Sequence, residues 1–295
     1  MIIGVPKEIK LQEHRIGLTP DSVKVLHKKG HKVLVEINGG LEAGFTNQDY
    51  EKSGAIIYDS AKKIFEDAEI IVKVKEPQMS EVKMIREGQI IYTYLHLAAT
   101  RELTEGLIKS KSICIAYETV TDDKGRLPLL APMSAVAGRM SIQAGAHSLE
   151  KNQKGRGLLL GGAPGVEPAN VVILGGGVVG ENAAIIATGM RGKVYVVDKS
   201  KQRLKELHEM FGDKIIPTES DKIDLKKLIS ECDLLIGGVL IPGAEAPKLV
   251  TKEMIKSMKR GSVIVDVAID QGGCVETSKP TTHANPTFVV DDVVH

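Results

Sequence analysis

The chain has 295 residues, a formal net charge of +1, 42% hydrophobic residues and only 3% aromatic residues. A charge this close to zero gives no electrostatic basis for binding nucleic acid or an anionic membrane surface. No run of about 18 apolar residues is present, which argues against a membrane span, and the length allows about two domains.

The N-terminal residues and the cysteines indicate the compartment. Residues 1–7 lack the basic region and the long apolar core of a signal peptide. The three cysteines, Cys114, Cys232 and Cys274, are widely spaced and odd in number. This pattern favours reduced thiols over a disulfide framework or a zinc site. We therefore expect a cytoplasmic protein without a metal site.

Strand and helix signals alternate through the first half of the chain. Thr19 and Pro20 predict the start of a helix and Gly30 predicts its end, while Thr100 is placed to cap another helix. Short apolar runs predict strands between the helices. These runs are Ile2–Val5, Lys32–Ile37, Ile70–Val74, Gln89–Tyr94 and Ile113–Tyr117.

A domain boundary is predicted near residues 127–135. Pro128 and Pro132 interrupt the alternation there, and Ser134 to Glu150 then has the composition of a long linking helix. A glycine-rich, basic loop follows at residues 151–165. We therefore expect one domain over residues 1–130 and a second over residues 131–295.

The second half contains a glycine motif in the context of a strand, a helix and a second strand. The apolar run 169–174 leads into Gly175-x-Gly177-x-x-Gly180, and the next strand, Lys193–Val197, ends on Asp198, 18 residues after Gly180. This is the full context of a dinucleotide-binding βαβ unit. The first glycine allows the tight turn, the second lets the backbone approach a pyrophosphate, and the third lets helix and strand pack closely. The alternative is a glycine-rich turn that binds no ligand.

Further strand and helix signals continue to the end of the chain. Ser200 and Thr251 are predicted helix caps, with helix ends at Gly212 and Gly261. Further strands are predicted at Asp233–Gly237, Ser262–Val267 and Thr287–Val290. The whole pattern predicts an α/β fold of two Rossmann-like lobes, with parallel sheets covered by helices and a cofactor cleft between the lobes.

Four polar residues stand where predicted strands end or shortly after. Arg15 follows the first strand, and Lys75, His96 and Asp270 follow later apolar runs. Each taken alone could be an ordinary surface residue. Together they match a site beyond the carboxyl ends of parallel strands, where Arg grips a carboxylate and His exchanges a proton near neutral pH. The residues alone indicate a nicotinamide-linked oxidoreductase for a small anionic substrate.

Several segments together resemble the alanine dehydrogenase family, in order and over essentially the whole chain. The segments are Gly4–Glu8 with Glu13–Arg15, Val74–Pro77, Tyr94–Ala98, Ala131–Ser134, Val171–Gly180 and Val265–Gly273. The family interconverts L-alanine and pyruvate with NAD, releasing or consuming ammonium, and assembles as a hexamer. The resemblance thus implies a substrate domain at 1–130, an NAD-binding domain at 131–295 and a homo-oligomer.

The resemblance also assigns roles to residues. It implies that Arg15 and Lys75 bind the substrate and that His96 and Asp270 are the catalytic pair. The glycine motif and the resemblance together give the expected cofactor-binding residues. These are Ser134, Gly175, Gly177, Val178, Val179, Gly180, Asp198, Arg203, Ser220, Val239, Leu240, Val267, Ala268, Ile269 and Lys279.

The chain departs from the family in three places. Ala135 and Ala284 stand where family members usually have a glutamate and an aspartate. The family also continues beyond the position of His295 with a C-terminal segment that returns to the first lobe. Two other functions stay open: the nucleotide-binding part of a proton-translocating transhydrogenase, and a non-catalytic NAD-binding module.

Overall fold

The computed structural model describes residues 1–97, 100–239 and 245–295, without the side chain of Asp270. Within this part the chain forms two compact units, Met1–Leu129 and Leu130–His295. None of the helices described there is long and apolar enough to cross a membrane.

The first unit contains a sheet whose strands all run parallel to their neighbours. Its strands are β1 (Ile2–Val5), β2 (Lys32–Glu36), β3 (Ala55–Tyr58), β4 (Ile70–Val72), β5 (Ile90–Thr93) and β6 (Ile113–Ala116). Their order in the sheet is β3-β2-β1-β4-β5-β6. Because all the strands point the same way, their carboxyl ends meet at one edge.

Helices cover both faces of this sheet. They are α1 (Pro20–Lys28), α2 (Asn47–Lys52), α3 (Ala61–Asp67), α4 (Met79–Val82) and α5 (Arg101–Ser110). Helix α3 buries Ile64 and Phe65 against one face, and α1 buries Val23 against the other. Two aliphatic cores result, as expected for a parallel sheet buried on both sides.

Both predicted helix starts in this unit are confirmed, but only one of the two predicted capping hydrogen bonds is formed. Thr19 caps α1 by accepting the Ser22 amide, and Gly30 follows the helix with a φ of 82°. Helix α5 begins after Thr100 as predicted, yet the Thr100 side chain makes no capping hydrogen bond. The hydroxyl of Thr104 donates to the Thr100 carbonyl, so this bond does not supply an acceptor for the amides of the first turn.

The second unit has a mostly parallel sheet in the order β12-β13-β11-β10-β7-β8-β9. The strands are β7 (Asn170–Leu174), β8 (Lys193–Asp198), β9 (Ile215–Glu219), β10 (Leu234–Gly237), β11 (Val263–Asp266), β12 (Val289–Val290) and β13 (Val293–Val294). The helices are α6 (Ala131–Ser148), α7 (Val178–Gly189), α8 (Lys201–Phe211), α9 (Leu225–Ser230) and α10 (Lys252–Lys256).

Helix α6 packs very closely against α7. A Cβ atom at Gly138 of α6 would lie 2.2 Å from the carbonyl oxygen of Val179 in α7. Gly145, two turns later, is equally close to Leu234 of β10, with 2.5 Å to one of its methyl groups. Small residues on α6 therefore let this helix approach the start of α7, where the glycine loop lies.

One strand pair departs from the predicted parallel arrangement. Strands β12 and β13 are antiparallel and are joined by Asp291 and Asp292. Both aspartates have positive φ, 48° and 61°, as in a tight hairpin turn. A two-residue connection can join only antiparallel strands, because parallel strands need a long crossover.

Candidate active site

The first unit presents polar side chains at the edge where its strands end. Arg15 comes after β1, Lys75 after β4 and His96 after β5. These three strands are neighbours in the sheet, so the segments after them leave the same edge. Tyr94 lies near two of these residues. Its ring stacks on that of His96, with 5.8 Å between the ring centroids. Burial raises the pKa of Tyr94, and the nearby charge of Arg15 partly offsets this rise.

Arg15 is held by the carboxylate of Glu13. Nε of Arg15 donates to Oε1 of Glu13 over 2.7 Å, and Nη2 donates to Oε2 over 2.6 Å. The hydrogen bonds from Arg15, assisted by the charge of Lys75, hold the pKa of Glu13 below its ordinary value. Glu13 thus fixes the guanidinium of Arg15 through two side-chain hydrogen bonds. The Arg15 side chain is still 43% exposed, so its fixed guanidinium stays within reach of a ligand.

His96 has an unusual backbone conformation that two carboxylates support. Its φ is 48°, a left-handed value that costs a non-glycine residue about 1 kcal/mol or more. Oε1 of Glu118 accepts the amides of Leu95 and His96 over 3.0 and 2.7 Å. The ring nitrogen Nδ1 lies 3.2 Å from Oε2 of Glu76. Backbone and ring are therefore both held in place.

Glu76 determines the tautomer of the His96 ring. Burial acts to raise the pKa of Glu76, but hydrogen bonds from His96 and Lys10 outweigh it and lower the pKa to about 2. An ionised carboxylate can only accept hydrogen bonds, so Nδ1 carries the hydrogen. Nε2 is then the nitrogen of the neutral ring that carries a free lone pair. A ring nitrogen needs this lone pair in order to take up a proton.

The glycine loop of the second unit has the geometry of a dinucleotide-binding turn. Gly175 has a φ of 93°. A Cβ atom at Gly180 would lie 1.9 Å from the Gly175 carbonyl oxygen, whereas one at Gly177 would meet no atom within 4 Å. Gly177 also caps α7 without a side chain, so the first amides of this helix are left for a ligand. The loop therefore fits a phosphate group.

Asp198 and Arg203 hold the glycine loop from the next βα connection. The two oxygens of Asp198 accept the amides of Gly176 and Ser200, each over 2.7 Å. Arg203 donates to the Gly176 carbonyl over 2.6 Å and also pairs with Glu181. Each carboxylate oxygen has a further lone pair, so Asp198 can still accept ribose hydroxyls.

Most other predicted cofactor residues lie near the same edge of the second sheet. Val239 follows β10, and its side chain lies against Gly175. A short 3-10 helix that carries Val267, Ala268 and Ile269 follows β11 directly. Ser220 follows β9. Since these strands are parallel to β7 and β8, the loops after them share the edge of the glycine loop.

Two other predicted cofactor residues are placed differently. Ser134 lies in the first turn of α6, where its amide donates to the Leu130 carbonyl. The ammonium of Lys279 lies 4.5 Å from the ring centroid of Phe288, which is a cation–π contact. Leu240 and the side chain of Asp270 lie outside the described residues, so their roles stay predictions.

Four acidic residues of this edge were not singled out from the sequence. Glu13 and Glu76 orient Arg15 and His96, and Glu8 and Glu118 bind the backbone of the segments that carry Lys75 and His96. Each acid follows a predicted strand or adjoins a chosen residue. This position alone does not identify such an acid, because carboxylates that support a site through the backbone leave no pattern of their own.

The family comparisons cover both units. The profile described as "Alanine dehydrogenase/PNT, N-terminal domain" matches residues 4–137, and the corresponding C-terminal domain matches residues 141–295. An alanine dehydrogenase of Halomonas elongata is 56% identical over 295 residues, covering 100% of this chain and 80% of that protein. One from Bacillus subtilis is 52% identical over 296 residues, covering 100% and 78%.

Solved structures agree with these matches. A structure titled L-alanine dehydrogenase has a TM-score of 0.92 at 52% identity, covering 100% of this chain and 81% of the other. A transhydrogenase from Sinorhizobium meliloti has a TM-score of 0.82 at 27% identity, covering 100% and 84%. Both domain profiles and close relatives over the full length thus agree, and the chain belongs to the alanine dehydrogenase/PNT family.

Proposed function

We propose that this protein oxidises L-alanine to pyruvate and ammonium with NAD, and catalyses the reverse reductive amination. The observation that carries the proposal is the placement of Arg15, Lys75 and His96 after three neighbouring parallel strands, with the His96 ring bound through Nδ1 to Glu76. In a chain whose relatives are named alanine dehydrogenases, these groups match a small amino acid or keto acid with one carboxylate.

NAD is the cofactor that the second unit fits best. The open position at Gly177 and the uncapped start of α7 suit a pyrophosphate, and Asp198 suits a ribose with free hydroxyls. When bound, NAD supplies the acceptor for the hydride that leaves the Cα atom of alanine. The protein contributes alignment, charge and proton transfer.

The proposed roles in the first unit follow from its chemistry. Arg15 binds the substrate carboxylate through charge-assisted hydrogen bonds, and Lys75 binds the same end of the substrate. Loss of hydride leaves an iminium group, to which water adds at Cα while Nε2 of His96 takes the proton. A proton returned to nitrogen then makes ammonia the leaving group, and as the C–N bond breaks the new hydroxyl gives up its proton, which leaves pyruvate and ammonium. Asp270 is the proposed second member of the catalytic pair.

The direct test is to follow NADH formation with L-alanine, and NADH consumption with pyruvate and ammonium. We expect both, each dependent on all of its substrates. The likeness to a transhydrogenase favours one second candidate, an NAD-binding component without alanine chemistry. Binding of NADH without any alanine-dependent reduction of NAD would favour that candidate.

Assembly and compartment are proposed from family membership alone. A homohexamer in the cytoplasm is the proposed state. Sedimentation analysis of the purified protein tests the first part, and a mass other than six chains contradicts it. Fractionation of source cells tests the second part.

A further inference from the structure

Three charged side chains form a fully buried network in the first unit. Nζ of Lys73 lies 2.9 Å from Oε2 of Glu8 and 2.9 Å from Oε1 of Glu81. The side chains are 0% exposed for Lys73 and 1% exposed for each glutamate. They connect the end of β1, the end of β4 and helix α4. The proposed chemistry uses none of these three residues.

Stability alone does not account for such a network. Removing charges from water costs several kcal/mol per ion, and apolar replacements of buried ion pairs are often neutral or stabilising. Burial raises the pKa of Glu81, although the adjacent Lys73 opposes the rise. The charged form of Glu81 is therefore disfavoured by its burial and supported by Lys73.

The second oxygen of Glu8 shows what the network does. Oε1 of Glu8 accepts the amide of Val74 over 2.6 Å and that of Lys75 over 3.3 Å. On the other side, the hydroxyl of Thr93 donates to the Lys75 carbonyl over 2.9 Å. The backbone of Lys75 is thus held from β1 on its amide side and from β5 on its carbonyl side.

We infer that Glu8 is a positioning residue, kept in place by buried Lys73, that sets the backbone from which Lys75 reaches the substrate carboxylate. The inference rests on the proposed function, in which Lys75 binds substrate. A lysine side chain is a flexible four-carbon stem, so the position of its ammonium depends strongly on where the backbone is held. Lys73 also neutralises Glu8, which lets a carboxylate act next to a site for anions.

The test is a double-mutant cycle between Glu8→Gln and Lys75→Ala, read as the dissociation constant of pyruvate in the presence of saturating NADH. Losing a hydrogen bond to a charged group typically corresponds to about tenfold or more in binding. We expect Glu8→Gln to weaken pyruvate binding by about tenfold in the natural background. In the Lys75→Ala background the same substitution should change pyruvate binding by less than about twofold, because its effect passes through Lys75.

A matched control comes from the same edge of the sheet. Glu36 also uses its carboxylate to accept a backbone amide, that of Lys7 over 2.8 Å, but it does not touch the segment of Lys75. Glu36→Gln should leave pyruvate binding unchanged. Equal weakening by both substitutions, or an equal effect of Glu8→Gln with and without Lys75, would overturn the inference.

A second variant avoids the buried charges if Glu8→Gln does not fold. Thr93→Val keeps the shape of this fully buried side chain and removes only the hydrogen bond to the Lys75 carbonyl. It should weaken pyruvate binding several-fold, again only when Lys75 is present, while Thr93→Ser should retain the natural affinity. If the natural protein oxidises alanine but these effects are additive with Lys75→Ala, the positioning role of Glu8 is contradicted and the proposed function stands. A natural protein that neither binds pyruvate nor oxidises alanine contradicts the proposed function instead.

Discussion

His96 is the residue in which geometry and chemistry meet most directly. Its Nδ1 is bound to Glu76, which leaves Nε2 to accept a proton. We expect His96→Asn to lower turnover by about 10²–10⁴-fold, the usual cost of losing a general acid–base group. Asparagine is chosen because it tolerates the left-handed backbone at this position. Turnover, NADH affinity and melting temperature should be measured together, and loss of stability with unchanged activity per folded molecule would make His96 a structural residue.

Asp198 should set the choice between NAD and NADP. Its negative charge opposes a 2′-phosphate, and neighbouring Arg203 is already paired with Glu181 and Glu206. We expect a clear preference for NAD in the natural protein and a smaller one in Asp198→Ala. Because Asp198 also binds the amides of Gly176 and Ser200, the variant will loosen the loop for both cofactors. The ratio of the two kcat/KM values is therefore the quantity to compare, and equal efficiency with NADP in the natural protein contradicts the prediction.

Glu76 should make the stability of the protein depend on acid pH. Its pKa is lowered from 4.5 to about 2 in the folded chain, so the ionised form stabilises the fold above pH 4.5. This contribution is lost as the pH falls from about 4.5 towards 2. Because Glu76 is partly exposed, screening limits the contribution to about 1–2 kcal/mol. Urea unfolding of the natural protein and of Glu76→Gln should differ above pH 5 and converge near pH 2. A constant difference over this range would exclude the linkage.

The sequence predicted the types of residue at this site better than their partners. Arg15, Lys75 and His96 could be chosen because each follows a predicted strand, and parallel strands bring their ends together. The carboxylates that hold these residues in place could not be chosen in the same way. Glu118 reaches the backbone of His96 from 22 residues further along the chain, and such a contact depends on the register between β5 and β6. No local pattern encodes that register.

At the scale of elements, the glycine loop gives two substitutions with opposite expected effects. A Cβ atom at Gly177 meets open space, and its φ of −66° suits any residue. A Cβ atom at Gly180 would lie 1.9 Å from a backbone oxygen. We therefore expect Gly177→Ala to fold normally but to lose NADH affinity by tenfold or more, since the methyl group fills space reserved for the pyrophosphate.

Gly180→Ala should instead destabilise the second unit, because the start of α7 must move away from β7. Overpacking of this kind costs about 1–3 kcal/mol, and sometimes more. Thermal unfolding and NADH titration of the two variants separate the effects. Normal NADH binding in Gly177→Ala would show that the open space at this position is not used by the cofactor.

The accuracy of the element predictions followed the strength of the local signals. Central strands such as β1 and β8 were placed correctly because they are continuous apolar runs. Strands β3 and β9 were not predicted. Both lie at sheet edges, and β9 carries Pro217, Thr218 and Glu219, which interrupt the hydrophobic pattern. Helix α10 was expected to continue to Gly261 but ends at Lys256, because tight turns at Ser257 and Met258 take over the backbone hydrogen bonds.

At the scale of the whole molecule, the two units carry different parts of the proposed chemistry. The groups for the substrate belong to residues 1–129, and the glycine loop with Asp198 belongs to residues 130–295. Family membership supports this division, since each unit matches a separate domain profile. The alternation of strands and helices indicated two α/β units, but the assignment of substrate and cofactor to them stays a prediction.

Amide hydrogen exchange on the intact protein tests this division of roles. NADH at about 100 times its dissociation constant adds roughly 2.7 kcal/mol to the stability of what it binds. We expect exchange to slow by up to about 100-fold in peptides from the end of β7 to the end of β8. Pyruvate added to the NADH complex should then slow exchange further in the segments after β4 and β5, which carry Lys75 and His96. Gly177→Ala at the same NADH concentration is the control: because we expect its affinity to be at least tenfold lower, its protection should fall to about tenfold or less. Protection by NADH confined to residues 1–129, with none in the glycine loop, would reverse the assignment of the two units.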